Sequence, residues 1–421
     1  MCARMRRLAI GLVLSAACTT SSSEPPPPPP PPPPGGTTLQ MNDLSVLFPM
    51  ATTPAELALY LTPGSPSANG PLLPQALYMS DPGAIDFPDL HVVGFRLDPC
   101  FGHMGPITDP SSCDNQIRLI WQPLFGDAAN APQAEDAGVH VLYKLTRDQL
   151  LAAVKEIAAA RAAADDTDLG PLAVNPIVVR EGLAGEMAQK LMAIASKYAD
   201  GTKIERITTF ELEASGGLMS NGGSDGPGSN GPVIDPSLFW QMHGVTVAEG
   251  VETPIDIPTV GDGTLSVSIT ASTNPLEASL VPETTSADDP DLLGATQQAM
   301  SSTAMQRQAA FDAALRIENP NKNTPDTIDC ASCHMAEPVR VLDGQQMFGM
   351  TTTGDANAFV ADPSIPAADL AATTTMIVSP PDGGLNIHAF SYRNTTPMIN
   401  QRVINETAAI LAYLQPLVAS K

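Results

Sequence analysis

A run of ten prolines, Pro25 to Pro34, divides this 421-residue chain into a short leader and a body of about 385 residues. Proline lacks the backbone N–H that helices and sheets use, so the run can only form an extended polyproline II segment. At ~3.1 Å per residue this segment spans roughly 30 Å. We expect residues 19–36, which add Ser, Thr and Gly to the prolines, to act as a stiff spacer between a point of attachment and a folded body.

The leader has the parts of a secretory signal. Its basic start carries three arginines, Arg4, Arg6 and Arg7. The apolar run that follows, from Leu8 to Ala17, is too short to cross a bilayer as a helix. We therefore predict that residues 1–17 are a signal peptide that is removed on export.

Small residues lead from the apolar run to Cys18. The stretch from Leu14 to Cys18 resembles a bacterial lipobox, in which the cysteine is lipidated after cleavage. Ser15 stands where a lipobox usually has a large apolar residue, and Leu14 lies one position further back. The resemblance implies a periplasmic or cell-surface lipoprotein, held in the outer membrane through Cys18. Cleavage after Ala17 with release into the periplasm is the alternative.

The motif Cys330-Ala331-Ser332-Cys333-His334 has the C-x-x-C-H spacing at which a c-type haem is attached. Cysteines three positions apart lie on one face of a helical turn, so both sulfurs can bond the vinyl groups along one side of a porphyrin. The imidazole of His334 can then reach the iron. The sequence predicts one covalent haem c per chain, bound by Cys330 and Cys333, with His334 as an iron ligand.

Zinc binding and dithiol redox chemistry are the alternative uses of these side chains. A structural zinc site takes four ligands, and no second Cys/His pair lies near the motif in sequence. A C-x-x-C redox site usually accompanies a βαβ unit, and that pattern is not evident in the sequence. Haem attachment is the favoured reading, and both alternatives stay open.

The six cysteines fit an exported protein. Cys2 leaves with the signal peptide, Cys18 carries lipid, and two more belong to the haem motif. Cys100 and Cys113 remain, in a stretch rich in Gly, Pro, Asp and Ser, and in an oxidising compartment we expect them to form a disulfide. Such a disulfide stabilises the fold by about 3 kcal/mol in the chain-entropy model.

Charge excludes one class of partner. The chain has 45 acidic and 21 basic residues, a net charge of −24, and no Lys/Arg cluster after the signal peptide. Nucleic-acid binding needs basic groups to neutralise phosphates, so we do not expect it. The acidic surface favours solubility and attracts basic partners.

Residues 40–290 are predicted to form an α+β domain of unknown function, with an antiparallel or mixed sheet and helices. Six short runs have strand composition and are bounded by turn residues: His91–Leu97, Gln116–Gln122, Val139–Leu145, Lys203–Glu213, Leu238–Val247 and Thr264–Thr270. Two helices interrupt them. One starts at Thr146, with Gln149 completing a capping box, and the other covers roughly Arg180 to Tyr198.

Residues 291–421 contain the haem motif and resemble a class I c-type cytochrome. The resemblance is strong over Cys330 to His334 and weak elsewhere. It implies a mainly α-helical cytochrome c-like domain, with one helix before the motif and another at the end of the domain. The helical patterns of Leu293–Ile317 and Gln401–Leu417 are the candidates. The remaining segment, residues 18–39, is the lipidated proline-rich linker.

The same resemblance implies a second iron ligand on a loop before the last helix. Met398, in Thr396-Pro397-Met398, occupies that place, and its thioether would raise the redox potential. His388 is the alternative, and bis-histidine ligation would leave the potential lower. Arg393 and Arg402 flank the loop and are candidate partners of the haem propionates, since guanidinium matches carboxylate geometry.

These observations favour a membrane-tethered periplasmic electron carrier that meets a redox partner protein. A haem peroxidase or gas sensor with an open axial site is the first alternative, although di-haem peroxidases need two C-x-x-C-H motifs and this chain has one. A cell-surface binding protein, whose N-terminal domain carries the function, is the second. Whether the protein is an enzyme is left open, with a carrier preferred.

Overall fold

The computed structural model describes residues 38–77, 87–99, 114–127, 130–164, 168–214, 238–255, 266–270, 302–323, 328, 330–371 and 386–419. The helices of this part are α1 (Met41–Leu44), α2 (Pro54–Leu57), α3 (Arg147–Ala163), α4 (Pro176–Glu181), α5 (Glu186–Tyr198), α6 (Ala304–Glu318), α7 (Cys330–Pro338) and α8 (Gln401–Ala419). The strands are β1 (Ser45–Leu47), β2 (Leu90–Asp98), β3 (Asn115–Phe125), β4 (Gln133–Ala134), β5 (Ala137–Leu145), β6 (Ile204–Ala214), β7 (Leu238–Ala248), β8 (Val251–Pro254), β9 (Ser266–Thr270), β10 (Phe390–Arg393) and β11 (Thr396–Ile399).

Nine of the described strands form one antiparallel sheet in the order β1-β2-β3-β5-β6-β7-β8, with β4 beside β3 and β9 beside β7. The six strand runs predicted from the sequence are all members of it. Their alternation of apolar side chains fits a pleated surface, on which successive side chains point to opposite faces.

One face of the sheet packs against α3 and α5. The side chains on this face are fully buried in register across three strands: Phe95, Leu119, Trp121, Val139, Val141 and Tyr143. Thr146 caps α3, and the predicted capping box with Gln149 is present. The helix predicted over Arg180–Tyr198 is divided, because Gly182 has a left-handed φ of +79° and ends α4.

The opposite face of the sheet is covered by the C-terminal part of the chain. Arg96 of β2 donates to Glu406 of α8 at 3.0 Å, and Ser45 of β1 shares a 2.7 Å hydrogen bond with Thr407. The β10–β11 hairpin is tied to β3 by Gln122, which accepts from the backbone N–H of Tyr392 at 2.9 Å. The helix that carries the C-x-x-C-H motif, α7, packs against α6, and Ala313 and Ala314 of α6 share a buried cluster with Ala336 of α7.

The predicted fold, an α+β domain followed by a mainly α-helical cytochrome c-like domain, is wrong. In the described part of residues 330–419, α7 continues as a π-helix over Val339–Met347. A long irregular stretch then holds one 3₁₀ turn at Ala367–Leu370, and a β-hairpin precedes α8. The physical reason is that the apolar face of α8, including Ile404 and Leu414, is buried in the same core as the sheet and does not close a separate helical core.

The two helices expected around the motif are present as α6 and α8. In the described residues α6 begins after the capping box of Thr303 and Gln306, eleven residues later than predicted. The predicted boundary between residues 290 and 291 lies outside the described residues. No helix in the described ranges is long and apolar enough to span a bilayer.

Candidate haem site

A cavity lies between the sheet and the C-terminal elements that cover it. The space between them is about 710 Å³, open solvent at its mouth included. Its lining comes from the sheet, from α7 and α8, and from the segments before them: Arg96, Arg118, Ile120, His140, Leu142, Arg206, Thr208, Ile328, Cys333, His334, Ala389, Phe390, Arg402, Val403 and Glu406.

Two neighbouring cross-strand rows form the floor of the cavity. In the first row Arg96 pairs with Arg118, which pairs with Leu142, which pairs with Arg206. The second row runs through Ile120, His140 and Thr208. Because side chains alternate along each strand, residues two positions apart in neighbouring rows share one face. The strand pairing thus collects polar residues that are far apart in sequence.

The haem motif forms the opposite wall. Cys330 is the first residue of α7, and Cys333 and His334 both line the cavity. Cys333 is half-buried, and burial raises the pKa of its thiol. The structure brings the thiol of Cys333 and the imidazole of His334 to one cavity, as the predicted attachment site requires. The side chain of Cys330 lies outside the described part.

His334 is held in one orientation and one tautomer. Its ring is 6 % exposed, and Nδ1 donates to the carbonyl oxygen of Ile387 at 2.7 Å. Burial lowers the pKa of His334, the bond to Ile387 raises it, the charges of His388 and Arg118 lower it, and the net value is about 4. The imidazole is therefore neutral near pH 7, with the Nε2 lone pair available for a metal. A backbone carbonyl on the second ring nitrogen is the usual arrangement of a metal-binding histidine.

Four arginines and one glutamate line the cavity. Glu406 accepts from Arg96 at 3.0 Å and from Arg402 at 3.4 Å. Burial raises the pKa of the Glu406 carboxyl, but the charges of Arg96, Arg402 and Arg118 more than offset this and hold the pKa at about 2. Glu406 is thus an anion, and the cavity keeps an excess of positive charge in a chain whose net charge is −24.

The lining fits a haem. Apolar side chains such as Ile120, Leu142 and Val403 suit the macrocycle, and guanidinium groups suit its two carboxylates. Arg402 has a buried Nε with no hydrogen-bond partner among the described residues, although its other nitrogens bond Ile317 and Glu406. A buried donor without a partner is costly, and a propionate would satisfy it.

Zinc is the alternative occupant of the motif's side chains. Within the described ranges, no three His, Cys, Asp or Glu side chains lie together as a group that could hold a metal ion. Structural zinc normally requires four such ligands. A haem brings its own four nitrogen ligands and needs only an axial group from the protein.

The two sequence candidates for the second iron ligand lie elsewhere. Met398 is 2 % exposed in β11, where it pairs with Ser391, and is not among the residues that line the cavity. Both ring nitrogens of His388 are engaged: Nδ1 with the Ser391 hydroxyl at 2.7 Å and Nε2 with Asp136 at 3.2 Å. Burial raises the pKa of Asp136, but hydrogen bonding and charge from His388, with Arg393, leave it lowered.

Of the two arginines predicted to bind the haem propionates, one lies at the cavity and one does not. Arg402 lines the cavity, whereas Nε of Arg393 lies 3.7 Å from Asp136. Sequence reasoning missed Arg96, Arg118, Arg206 and His140. Their only signal was a polar residue at every second position of a strand, which also describes a strand facing water.

Cys18, Cys100 and Cys113 lie outside the described residues, so the predicted lipidation and disulfide stay predictions. A comparison with protein-family models, with curated proteins and with solved structures finds no match to this chain.

Proposed function

We propose that the protein is an exported, membrane-tethered mono-haem c-type protein that transfers electrons. One observation carries the proposal: the histidine of the C-x-x-C-H motif lies buried in a cavity rich in arginine, with Nδ1 bound to a backbone carbonyl. The sequence motif alone does not require such an environment.

Each group of residues has a role in this proposal. Cys330 and Cys333 hold the haem through thioether bonds, and His334 ligates the iron. Arg96, Arg118, Arg206 and Arg402 stand where propionates can be bound. The apolar side chains of the lining, such as Ile120 and Val403, would contact the macrocycle. A haem bound here supplies a one-electron ferric/ferrous couple.

The N-terminal sequence supports a location on the periplasmic side of a membrane, or at the cell surface, with the lipid on Cys18 as anchor. The proline-rich spacer lets the folded body reach a redox partner protein. The net charge of −24 favours a partner whose docking surface is basic.

The test is a spectroelectrochemical titration of full-length protein made in a host that assembles c-type cytochromes. We expect haem that stays on the chain after denaturation and a reversible one-electron transition. The Cys330→Ala/Cys333→Ala double variant should lose the covalent haem. Wild-type protein without covalent haem would overturn the proposal. Peroxide turnover at the haem would instead favour the alternative of a haem enzyme.

A further inference from the structure

His140, in the middle of β5, points into the cavity from the sheet. It pairs with Ile120 of β3 on one side and with Thr208 of β6 on the other, and all three side chains line the cavity. Its neighbours Val139 and Val141 point the other way and are fully buried. Because β5 is hydrogen-bonded on both sides, the position of His140 is set by a rigid part of the fold.

The rings of His140 and His334 lie close to the separation that two axial ligands of one iron require. Their centroids are 5.8 Å apart and their planes differ by 30°. Metal–imidazole bonds of about 2.0 Å on opposite sides of one metal place the two ring centres roughly 6 Å apart. The two histidines come from opposite walls of the cavity, one from α7 and one from the sheet.

The ring of His140 is available for a metal. No side chain or backbone group among the described residues hydrogen-bonds to it, whereas His388 uses both its ring nitrogens. Burial lowers the pKa of His140 well below its usual value, and the charges of His334, Arg118 and Arg96 lower it further.

The other potential ligands in the lining are occupied. Glu406 accepts from two arginines, and Cys333 belongs to the attachment motif. Phe210 lies beside both histidines, with ring centroids 6.3 Å from His140 and 5.0 Å from His334, and its ring packs over Gly138, where a Cβ would lie 2.6 Å from it. This aromatic side chain fixes the space around the two imidazoles.

We infer that His140 is the second axial ligand of the haem iron, so that the site is bis-histidine and six-coordinate. The inference rests on the proposed function, because it needs a haem attached at Cys330 and Cys333. It replaces Met398 and His388 as candidates. Two imidazoles give a lower redox potential than an imidazole–thioether pair, since the thioether favours ferrous iron.

The test compares ferric spectra of the wild type and of His140→Ala in full-length holoprotein. The wild type should be low-spin, with the electron paramagnetic resonance signature of two imidazoles and without the long-wavelength methionine–iron band. His140→Ala should shift to a high-spin spectrum and gain carbon monoxide binding in the ferrous state. His91→Ala is the matched control, because His91 bonds the Asp89 carbonyl and does not line the cavity. It should leave the spectrum unchanged.

A second experiment, the addition of imidazole to a His140→Gly variant, tests the same ligand if His140→Ala folds poorly. His140→Gly leaves a space of the right shape, and imidazole should restore the low-spin spectrum. A methionine band in the wild type, or a low-spin spectrum that survives in His140→Ala and is lost in Met398→Ala or His388→Ala, would overturn the inference while leaving the haem assignment intact. A wild type without covalent haem would be a failure of the proposed function instead.

Discussion

Arg206 lies at one end of the cross-strand row of Arg96, Arg118 and Leu142 on the floor of the cavity, and its charge should act on the iron of the proposed haem. A positive charge near the haem disfavours the ferric state, so Arg206→Gln should lower the redox potential by something on the order of tens of millivolts. The measurement is the midpoint potential from a spectroelectrochemical titration. Arg147→Gln is the matched control, since Arg147 is exposed at the start of α3 on the far face of the sheet. Equal shifts of the midpoint potential in both variants would show that the charge of Arg206 has no local effect on the iron.

A buried carboxylate cluster beside the motif should make stability depend on pH. Arg340 bonds Glu318 at 2.6 Å and Glu337 at 3.3 Å. Burial and the charge of Glu318 raise the pKa of Glu337, the charge of Arg340 and a hydrogen bond from the Gln401 N–H lower it, and the net value is about 8. Native protein therefore keeps a proton on Glu337 that the unfolded chain releases near pH 4.5.

The proton that native Glu337 retains makes the protein less stable as the pH rises. Between about pH 4.5 and 8 the native state binds more protons than the unfolded state, so the contribution of Glu337 is fully present below pH 4.5 and is lost as the pH rises to 8. Glu337→Gln mimics the protonated carboxyl. The quantity to measure is the free energy of unfolding in urea of the wild type minus that of Glu337→Gln. This difference should fall by something on the order of a few kcal/mol between pH 5 and pH 8. The depressed pKa values of His334 and His140 act in both proteins and cancel in the difference. A difference that does not change with pH would contradict the assignment.

At the scale of elements, Gln122 attaches the β10–β11 hairpin to the sheet. Its amide donates to the carbonyls of Glu135 and Tyr392, and its carbonyl oxygen accepts from the Tyr392 N–H. Gln122→Met should therefore lower the free energy of unfolding by about 2–3 kcal/mol, because buried backbone groups lose their partners. Gln308→Met, at an exposed position of α6, should change it by less than about 0.5 kcal/mol. Similar decreases in the free energy of unfolding in the two variants would show that the hydrogen bonds of Gln122 do not hold the hairpin on the sheet.

The elements themselves were largely readable from the sequence. In runs such as Val139–Leu145 apolar residues recur along a length that fits a strand. The capping box of Thr146 and Gln149 correctly predicts the start of α3. The break between α4 and α5 was missed, although Gly182 and Gly185 both lie inside the predicted helix; the left-handed φ of Gly182 ends α4 and Gly185 caps α5.

Only part of the candidate haem site could be predicted from the sequence. Cys330, Cys333 and His334 form a local motif, so their spacing was enough. His140 and Arg206 join them through the pairing of β5 with β6, and strand register is decided by contacts between distant segments. Met398 was favoured because of its place in a family pattern, whereas the structure puts it in a hairpin strand away from the cavity lining.

At the scale of the whole molecule, the sheet and the haem motif depend on each other. The floor of the cavity comes from β2, β3, β5 and β6, so residues 291–421 contain only one side of the site. Both fragments in this test carry residues 1–17 at their N-terminus as the export signal. We expect a fragment of residues 291–421, made in a host that assembles c-type cytochromes, to lack a stable low-spin haem. A fragment of residues 38–421 is the control and should match the full chain in its absorption spectrum. A low-spin spectrum and cooperative thermal unfolding in the shorter fragment would contradict this dependence.

The haem assignment is tested by the intact mass of the full-length protein, purified from a host that assembles c-type cytochromes and denatured before measurement. We expect the mass to include one haem, retained through Cys330 and Cys333, and the Cys330→Ala/Cys333→Ala variant to lack it. A wild-type mass equal to that of the polypeptide alone, apart from signal processing and lipid on Cys18, would contradict the haem site and the proposed electron transfer.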